Sequence, residues 1–273
     1  MDNDSLGNRM KDYEMVEAGR VLDQNLPVMI RLDGRSFSNF TKGLKRPFDQ
    51  RLTDLMISTT KFLVEETNAV LAYQQSDEIS LILFKQSPES QLFFDARIQK
   101  LTSVIASMAT AYFNSDLHKF LPEKIGKLAY FDCRAWNVPT TTEAVNTILW
   151  RELDATKNAI SMAAQHYYSH NALQNKNGQE KKMMLLEKGI DFEKYPSFFK
   201  RGSYIRRVKK AIRFSFDEIC NLPQNHEARI NPDLIVERNI VERVELPPIT
   251  KVINREEVFF KGEDPVCLLT NQI

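Results

Sequence analysis

The stretch AYQQSDEISLILF, Ala72 to Phe84, holds two apolar runs separated by Ser76, Asp77 and Glu78. The runs read as β-strands over 70–74 and 79–84, folded back on each other. Tight hairpins favour Asn-Gly or Asp-Gly at the turn, yet two adjacent carboxylates stand here. Turns solvate Asp readily, which is the plain explanation. A bound cation is the other, and the elements around the hairpin favour it.

Upstream, PVMIRLD (27–33) reads as a short buried strand ending at Asp33-Gly34. Leu52, Leu55, Met56, Thr59, Phe62 and Leu63 have helical spacing within 50–67. Downstream, Leu92, Ile98, Leu101, Val104, Ile105, Met108 and Tyr112 share one face of a helix expected over 91–113, and KLAYFDC (127–133) reads as a fourth strand. The order β-α-β-β-α-β is the ferredoxin-like pattern, which is also the palm of many nucleotide-handling enzymes. It implies an antiparallel sheet ordered 4-1-3-2. The end of the first strand then lies at the same sheet edge as the turn between the second and third, so Asp33 is expected beside Asp77 and Glu78.

The second half reads differently. Thr140 and Glu143 have capping-box spacing, so a long helix is expected to about Tyr168. A polar loop over 171–180 and a short helix over 181–187 follow, then strands or extended segments from about Asn231. The fold class is therefore α+β: a ferredoxin-like βαββαβ palm of the polymerase and cyclase type with additional C-terminal helices and strands. Residues 1–138 form the catalytic palm, and 139–273 pack on it within one integrated domain.

Bulk properties narrow the class. The chain has 273 residues, ample for a core. No apolar run reaches the ~18 residues of a membrane span. The N-terminus, MDNDSLGNRMKDYE, lacks an apolar signal region. Three scattered cysteines (Cys133, Cys220, Cys267) point to reduced thiols and a cytoplasmic protein. Net charge is +1, but KRGSYIRRVKKAIR (200–213) carries seven basic residues in fourteen. That run is either a phosphate-binding patch or a solvated basic helix or loop.

Carboxylates gathered at a sheet edge repel and call for a compensating cation. Mg²⁺ suits Asp33, Asp77 and Glu78, because it takes oxygen ligands from one or two carboxylates and from substrate phosphates. Two such ions align attacking and leaving oxygens in nucleotidyl transfer. Gly34 lets a backbone carbonyl approach an ion closely. Lys42, Lys45 and the segment Arg46 to Asp49 (RPFD) lie between the first strand and first helix, where basic side chains suit a triphosphate or simply solvate a loop. His166 and His170 are four apart, but no third metal ligand is evident and no Glu follows His166. Walker, Gly-x-Gly-x-x-Gly and Gly-x-Ser-x-Gly motifs are absent from the sequence.

The segments RLDGRSFSNFTK, YQQSDEISLIL and FDCRAWNVP resemble three ordered motifs of the tRNA-histidine guanylyltransferase family. SLGNRMKDYE and WRELDATKNAIS are more similar to its bacterial and archaeal branch, the guanylyltransferase-like tRNA repair enzymes. The resemblance implies 3′-to-5′ nucleotide addition to the 5′ end of tRNA. That end is activated with ATP or GTP, then attacked by the 3′-hydroxyl of an incoming nucleoside triphosphate. It implies that Asp33, the Gly34 carbonyl and Asp77 hold two Mg²⁺ ions, with Glu78 serving the same site. Gly34, Arg35, Ser36, Phe37, Lys45, Arg46, Ser76, Arg97 and Lys100 would contact nucleotide. Arg46 stands where the family has a Lys before its Pro, which keeps the charge and changes the geometry.

In place of the eukaryotic His-Ile-Asn-Asn-Leu-Tyr-Asn motif the chain has Thr156-Lys157-Asn158-Ala159-Ile160-Ser161, retaining Asn158. The missing His favours templated repair over addition of a single G to tRNA-His. Asn158, Lys200, Arg201, Arg206, Arg207, Lys209 and Lys210 would meet tRNA, and the family implies a homotetramer. A nucleotidyl cyclase and a non-catalytic RNA-binding protein remain as readings of the residues alone.

Overall fold

The computed structural model describes residues 3–87 and 89–268. In chain order its first half runs α1 (Asn3–Ala18), β1 (Val28–Gly34), the single turn α2 (Phe37–Phe40), α3 (Gln50–Thr67), β2 (Leu71–Gln75), β3 (Glu78–Leu83), α4 (Ile98–Phe120) and β4 (Phe131–Asn137). The second half runs α5 (Thr141–Tyr167), α6 (His170–Leu173), α7 (Gly178–Glu187), α8 (Ser197–Arg201), β5 (Ser203–Arg213), α9 (Phe216–Asn221), α10 (Glu227–Ile230) and β6 (Ile235–Val244). All described neighbours in the sheet are antiparallel, and the order is β4-β1-β3-β2-β5-β6. The first four strands thus take the expected 4-1-3-2 arrangement, and the second half extends it by two.

Alternation along each strand divides the core. Val28, Ile30 and Leu32 of β1 join Ile79, Leu81 and Leu83 of β3 on one face. There Leu55, Leu63, Leu101, Ile105 and Phe113 of α3 and α4 cover them. Met29, Leu71, Tyr73, Ile82 and Tyr204 face the other way, under Val145, Ile148 and Ala155 of α5 and the later Phe259. A third cluster joins Ala159 and Ala163 of α5 to Leu185 of α7 and to Phe198 and Phe199 of α8.

Several boundaries differ from expectation. The helix expected at 91–113 begins at Ile98, because Phe94, Asp95 and Ala96 take positive φ and close a 3-10 turn first. Its buried stripe is Leu101, Ile105, Ala109, Phe113 and Leu117, an i, i+4 series. The strand expected at 127–133 lies four residues later, where β1 offers pairing partners from Val28 to Gly34. Residues 171–180 are not all loop: α6 supplies a turn, and Asn177 and Glu180 form a capping box that starts α7 at Gly178. The basic run enters β5, a strand rather than a helix or loop, because β2 and β6 pair with it on both sides. No described helix is long and apolar enough to cross a membrane.

Candidate active site

The β2–β3 hairpin closes in a two-residue turn, Ser76-Asp77, since Gln75 pairs with Glu78. Ser76 holds the left-handed φ of 52°, which costs an L side chain on the order of 1 kcal/mol. Gln74 donates from Nε2 to the Ser76 carbonyl at 2.9 Å and steadies the turn. Asp33, next to last in β1, pairs across the sheet with Glu78 on one side and Asp132 on the other. Directly opposed residues share a sheet face, so three carboxylate-bearing positions stand in a row.

Gly34 brings β1 against the hairpin tip. A Cβ at this position would lie 2.9 Å from the Asp77 Cβ and 2.3 Å from the Phe37 ring. Only glycine permits that approach. The Asp77 carboxyl is pushed up to about 6, first by burial and further by the charges of Asp33 and Glu78, against the opposing help of its own N–H and the Ser76 hydroxyl. A half-buried, repelled carboxylate gains most from a cation.

Glu78 is engaged from across the sheet. Arg151 of α5 donates to it in a bidentate pair, Nε to Oε1 at 2.6 Å and Nη2 to Oε2 at 2.8 Å. The same guanidinium reaches Asp154 at 3.1 Å and lies 4.6 Å from the centre of the Trp150 ring. Asn158 donates to Asp154 at 3.3 Å. A polar chain therefore runs from the hairpin through Arg151 and Asp154 to Asn158. Asp132 and Arg151 were both missed in the sequence. Asp132 sits in FDC, whose pairing with Asp33 depends on strand register, and Arg151 lies more than seventy residues from Glu78.

A cleft of about 480 Å³ opens beside the turn. Gln75, Ser76 and Asp77 form one wall, and Lys45 and Arg46 another. Phe48, Met162, Phe198 and Phe199 add an apolar side, with the Phe48 and Phe199 rings 4.8 Å apart. The basic loop is anchored by buried Asp49, which caps α3, accepts from the Lys45 N–H at 3.2 Å and is bound by the Arg51 guanidinium at 2.8 Å. Hydrogen bonds from Arg51 hold its carboxyl below the usual range. An apolar wall with a few cations and carboxylates at one end suits a base and its phosphates.

The other expected nucleotide residues separate. The Arg35 N–H donates to the Tyr130 carbonyl at 2.8 Å, and Ser36 precedes α2 with a φ of 53°. Phe37 is buried against Phe40, Phe113 and Phe131, so its ring is chiefly a packing element at the cleft wall. Arg97 and Lys100 open α4 at the opposite edge of the sheet. There Arg97 bridges Val21, and the Leu22 N–H reaches the Ala96 carbonyl at 3.0 Å. Within one chain they do not meet Asp33, from which the length of β1, ~20 Å, divides them.

The basic run is largely paired. Lys200 meets Glu193 at 3.3 Å. Arg206 donates to the Val258 and Gly262 carbonyls, and Arg207 to those of Val64 and Glu65 at the end of α3. Lys209 stands 3.6 Å from Glu237, and Lys210 pairs with Glu242. Arg201 forms no ion pair among the described residues and receives the Tyr73 hydroxyl on its carbonyl at 2.8 Å. The acids that neutralise this run come from β6 and from the helical turn before α8, and a count along 200–213 does not see them.

Among the described residues no three His, Cys, Asp or Glu side chains gather as a metal-holding group, and His166 packs on the Tyr167 ring. The groups at the hairpin that could hold a cation are instead the carboxylates of Asp33 and Asp77 and the backbone of Gly34 between them. They fit Mg²⁺ whose remaining ligands are water and phosphate oxygens.

Residues 7–139 match the family model of Thg1, tRNAHis guanylyltransferase. A tRNA(His) guanylyltransferase of Saccharomyces cerevisiae is 30% identical over 206 residues, spanning 69% of this chain and 85% of its own. The chain belongs to the tRNA(His) guanylyltransferase family. Two solved structures agree. A bacterial Thg1-like protein in complex with ATP is 39% identical, with a TM-score of 0.70 over 74% of this chain and 87% of that one. A bacterial Thg1-like protein in complex with GTP is 33% identical, with a TM-score of 0.69 over 90% and 94%. The mixed helical and antiparallel-sheet architecture is shared with these structures. The chain is thus a nucleotidyltransferase of this family.

Proposed function

We propose that this enzyme adds nucleotides to the 5′ end of tRNA in the 3′-to-5′ direction, copying the opposite strand, after the end has been activated with ATP or GTP. The observation that carries the reading is the contact of Gly34 with Asp77, which sets Asp33 and Asp77 together at the mouth of a cleft flanked by Lys45 and Arg46. Asp33, Asp77 and the Gly34 carbonyl would hold two Mg²⁺ ions. Bound there, the ions would neutralise phosphate charge and orient the reacting oxygens.

The protein's own residues do the rest. Lys45 and Arg46 balance the triphosphate, and the apolar wall of Phe48, Phe198 and Phe199 receives the base and excludes water. Ser76, exposed in the turn, is placed to meet nucleotide. Arg151 fixes Glu78 on the carboxylate face, and Asn158 continues that chain toward the RNA. Arg35 and Ser36 order the backbone after Gly34.

The palm reading rests on the βαββαβ order with its carboxylates at one sheet edge. Residues 1–138 then act as the catalytic region. Residues 139–273 complete the domain, because β5 pairs with β2 and α5 covers the sheet. The distance of Arg97 and Lys100 from Asp33 accords with a homotetramer. Absence of the eukaryotic His motif in α5 favours templated repair over addition of one G, and the enzyme is placed in the cytoplasm.

The test is incubation with Mg²⁺, nucleoside triphosphates and a 5′-truncated, 5′-labelled tRNA. Full-length product that follows the opposite strand is expected, and Asp77→Ala should abolish it. One G added whatever base lies opposite would refute templated repair. No addition, or a cyclic nucleotide formed from GTP or ATP alone, would refute the polymerase reading.

A further inference from the structure

A second and larger cleft, of about 840 Å³, lies at the other edge of the sheet, where α3 ends and β3 runs out at Leu83. Its lining includes Lys85, Arg206, Arg207, Lys209 and Lys261 and no acidic residue. These five cations come from three separate parts of the chain: the segment after β3, strand β5 and the helical turn over Glu257–Lys261. The arginines are spent on architecture, since their donors close on the carbonyls of Val258, Gly262, Val64 and Glu65. Even so, the Nε of Arg206 is buried without a partner. Burial also pulls the Arg206 guanidinium below its ordinary value, while exposed Asp264 acts the other way.

The lysines are available. Lys85 makes no ion pair or hydrogen bond among the described residues. Lys209 has only a 3.6 Å contact to Glu237 with both groups mostly exposed, a pairing worth little in water. Lys261 is exposed. Two half-buried rings, Phe84 and Phe260, meet edge to face at 5.5 Å in the same cleft. Flexible cations beside aromatic rings form the chemistry that holds single-stranded nucleic acid, phosphates on the lysines and bases on the rings. A duplex would meet the cations without using the rings.

We propose that this cleft binds a single-stranded segment of RNA, at a place the length of the sheet away from the nucleotide cleft. The proposal rests on the reading of the enzyme as one that acts on RNA, but its test needs no catalysis. The probe is a labelled oligouridylate of about 8 nucleotides, with binding followed by anisotropy across a salt series. The variant is Lys85→Ala/Lys261→Ala, and Lys85→Arg/Lys261→Arg serves as the charge-keeping control.

Each phosphate contact on a single strand contributes about 0.7 to the slope of log affinity against log salt. Losing two should flatten the slope by about 1.4. If the two curves meet near 1 M salt, that is about 25-fold weaker binding at 0.1 M. The Arg variant should keep the wild-type slope, and ATP binding at the hairpin cleft should not change in either. An unchanged slope in the Ala variant overturns the proposal. So does a variant that loses affinity for ATP or GTP and keeps its affinity for the oligomer. A protein inactive in nucleotide addition whose oligomer slope still falls would refute the repair reading and leave this one standing.

Discussion

Replacing Asp77 by Asn should make the metal-free protein more stable while ending its activity. The Asp77 carboxyl lies at about 6 in the fold against an ordinary 3.8, mainly because it is buried. The folded state therefore holds this proton more tightly than the unfolded chain. Stability falls as pH rises through the window from 3.8 to about 6, and the full penalty persists above it. At about 1.4 kcal/mol per pKa unit, ionisation of Asp77 costs the fold about 3 kcal/mol at pH 8. At pH 5 the cost is roughly half that. An Asn of the same shape still accepts the Ser76 hydroxyl and carries no charge. Urea unfolding in EDTA should thus show Asp77→Asn with a midpoint higher by on the order of 1 M at pH 8, and a gain roughly half as large at pH 5. Added Mg²⁺ should stabilise the wild type and not the variant. Equal midpoints at pH 8, or a gain that does not shrink toward pH 5, would refute the argument that Asp77 is a destabilised carboxylate awaiting a cation.

Gly34→Ala should lower stability by about 1–3 kcal/mol and abolish nucleotide addition, because its Cβ has no room beside Phe37 and Asp77; thermal unfolding and the addition assay check both. Arg151→Ala should cost about 2 kcal/mol and reduce turnover by leaving Glu78 half-buried without its donors, and Arg151→Lys should restore stability only in part since it cannot form the bidentate pair. Tyr204→Phe removes the 2.6 Å hydrogen bond to buried Glu152, whose carboxyl burial already raises, and should lower stability by about 1–3 kcal/mol in denaturant without changing nucleotide binding. The Mg²⁺ concentration needed for half-maximal activity should rise up to about tenfold for each pH unit below about 6, as protons compete for Asp77; a requirement that is flat from pH 7 to 5 contradicts this.

The first three strands were legible as short apolar runs bounded by turn residues, which is how strands buried on both faces read. Residues 28–34, 71–75 and 78–83 lie within a residue or two of the expected spans. The start of α4 was not legible, since residues 91–97 continue the apolar periodicity while their backbone turns left-handed. The fourth strand was placed four residues early for a related reason: the apolar LAY of 128–130 extends FDC toward the N-terminus, and only pairing with β1 starts the strand at Phe131 and carries it to Asn137. β5 was hidden by its charges, because a strand whose side chains are Lys and Arg on both faces shows no apolar alternation.

The sequence by itself determined the chemistry on offer: carboxylates at Asp33, Asp77 and Glu78, glycine at 34, cations at 45 and 46, and the motif order that marks the family. These are local properties, carried by residue type and short spacing. Which groups meet was decided only by tertiary structure. Strand register set Asp132 beside Asp33, and the crossing of α5 brought Arg151 to Glu78. Pairing with β6 neutralised much of the basic run, while the helical turn over Glu257–Lys261 carried Lys261 to the cleft that Lys85 lines. Charge acts through space and falls with distance, so its partner is fixed by the fold and not by position along the chain.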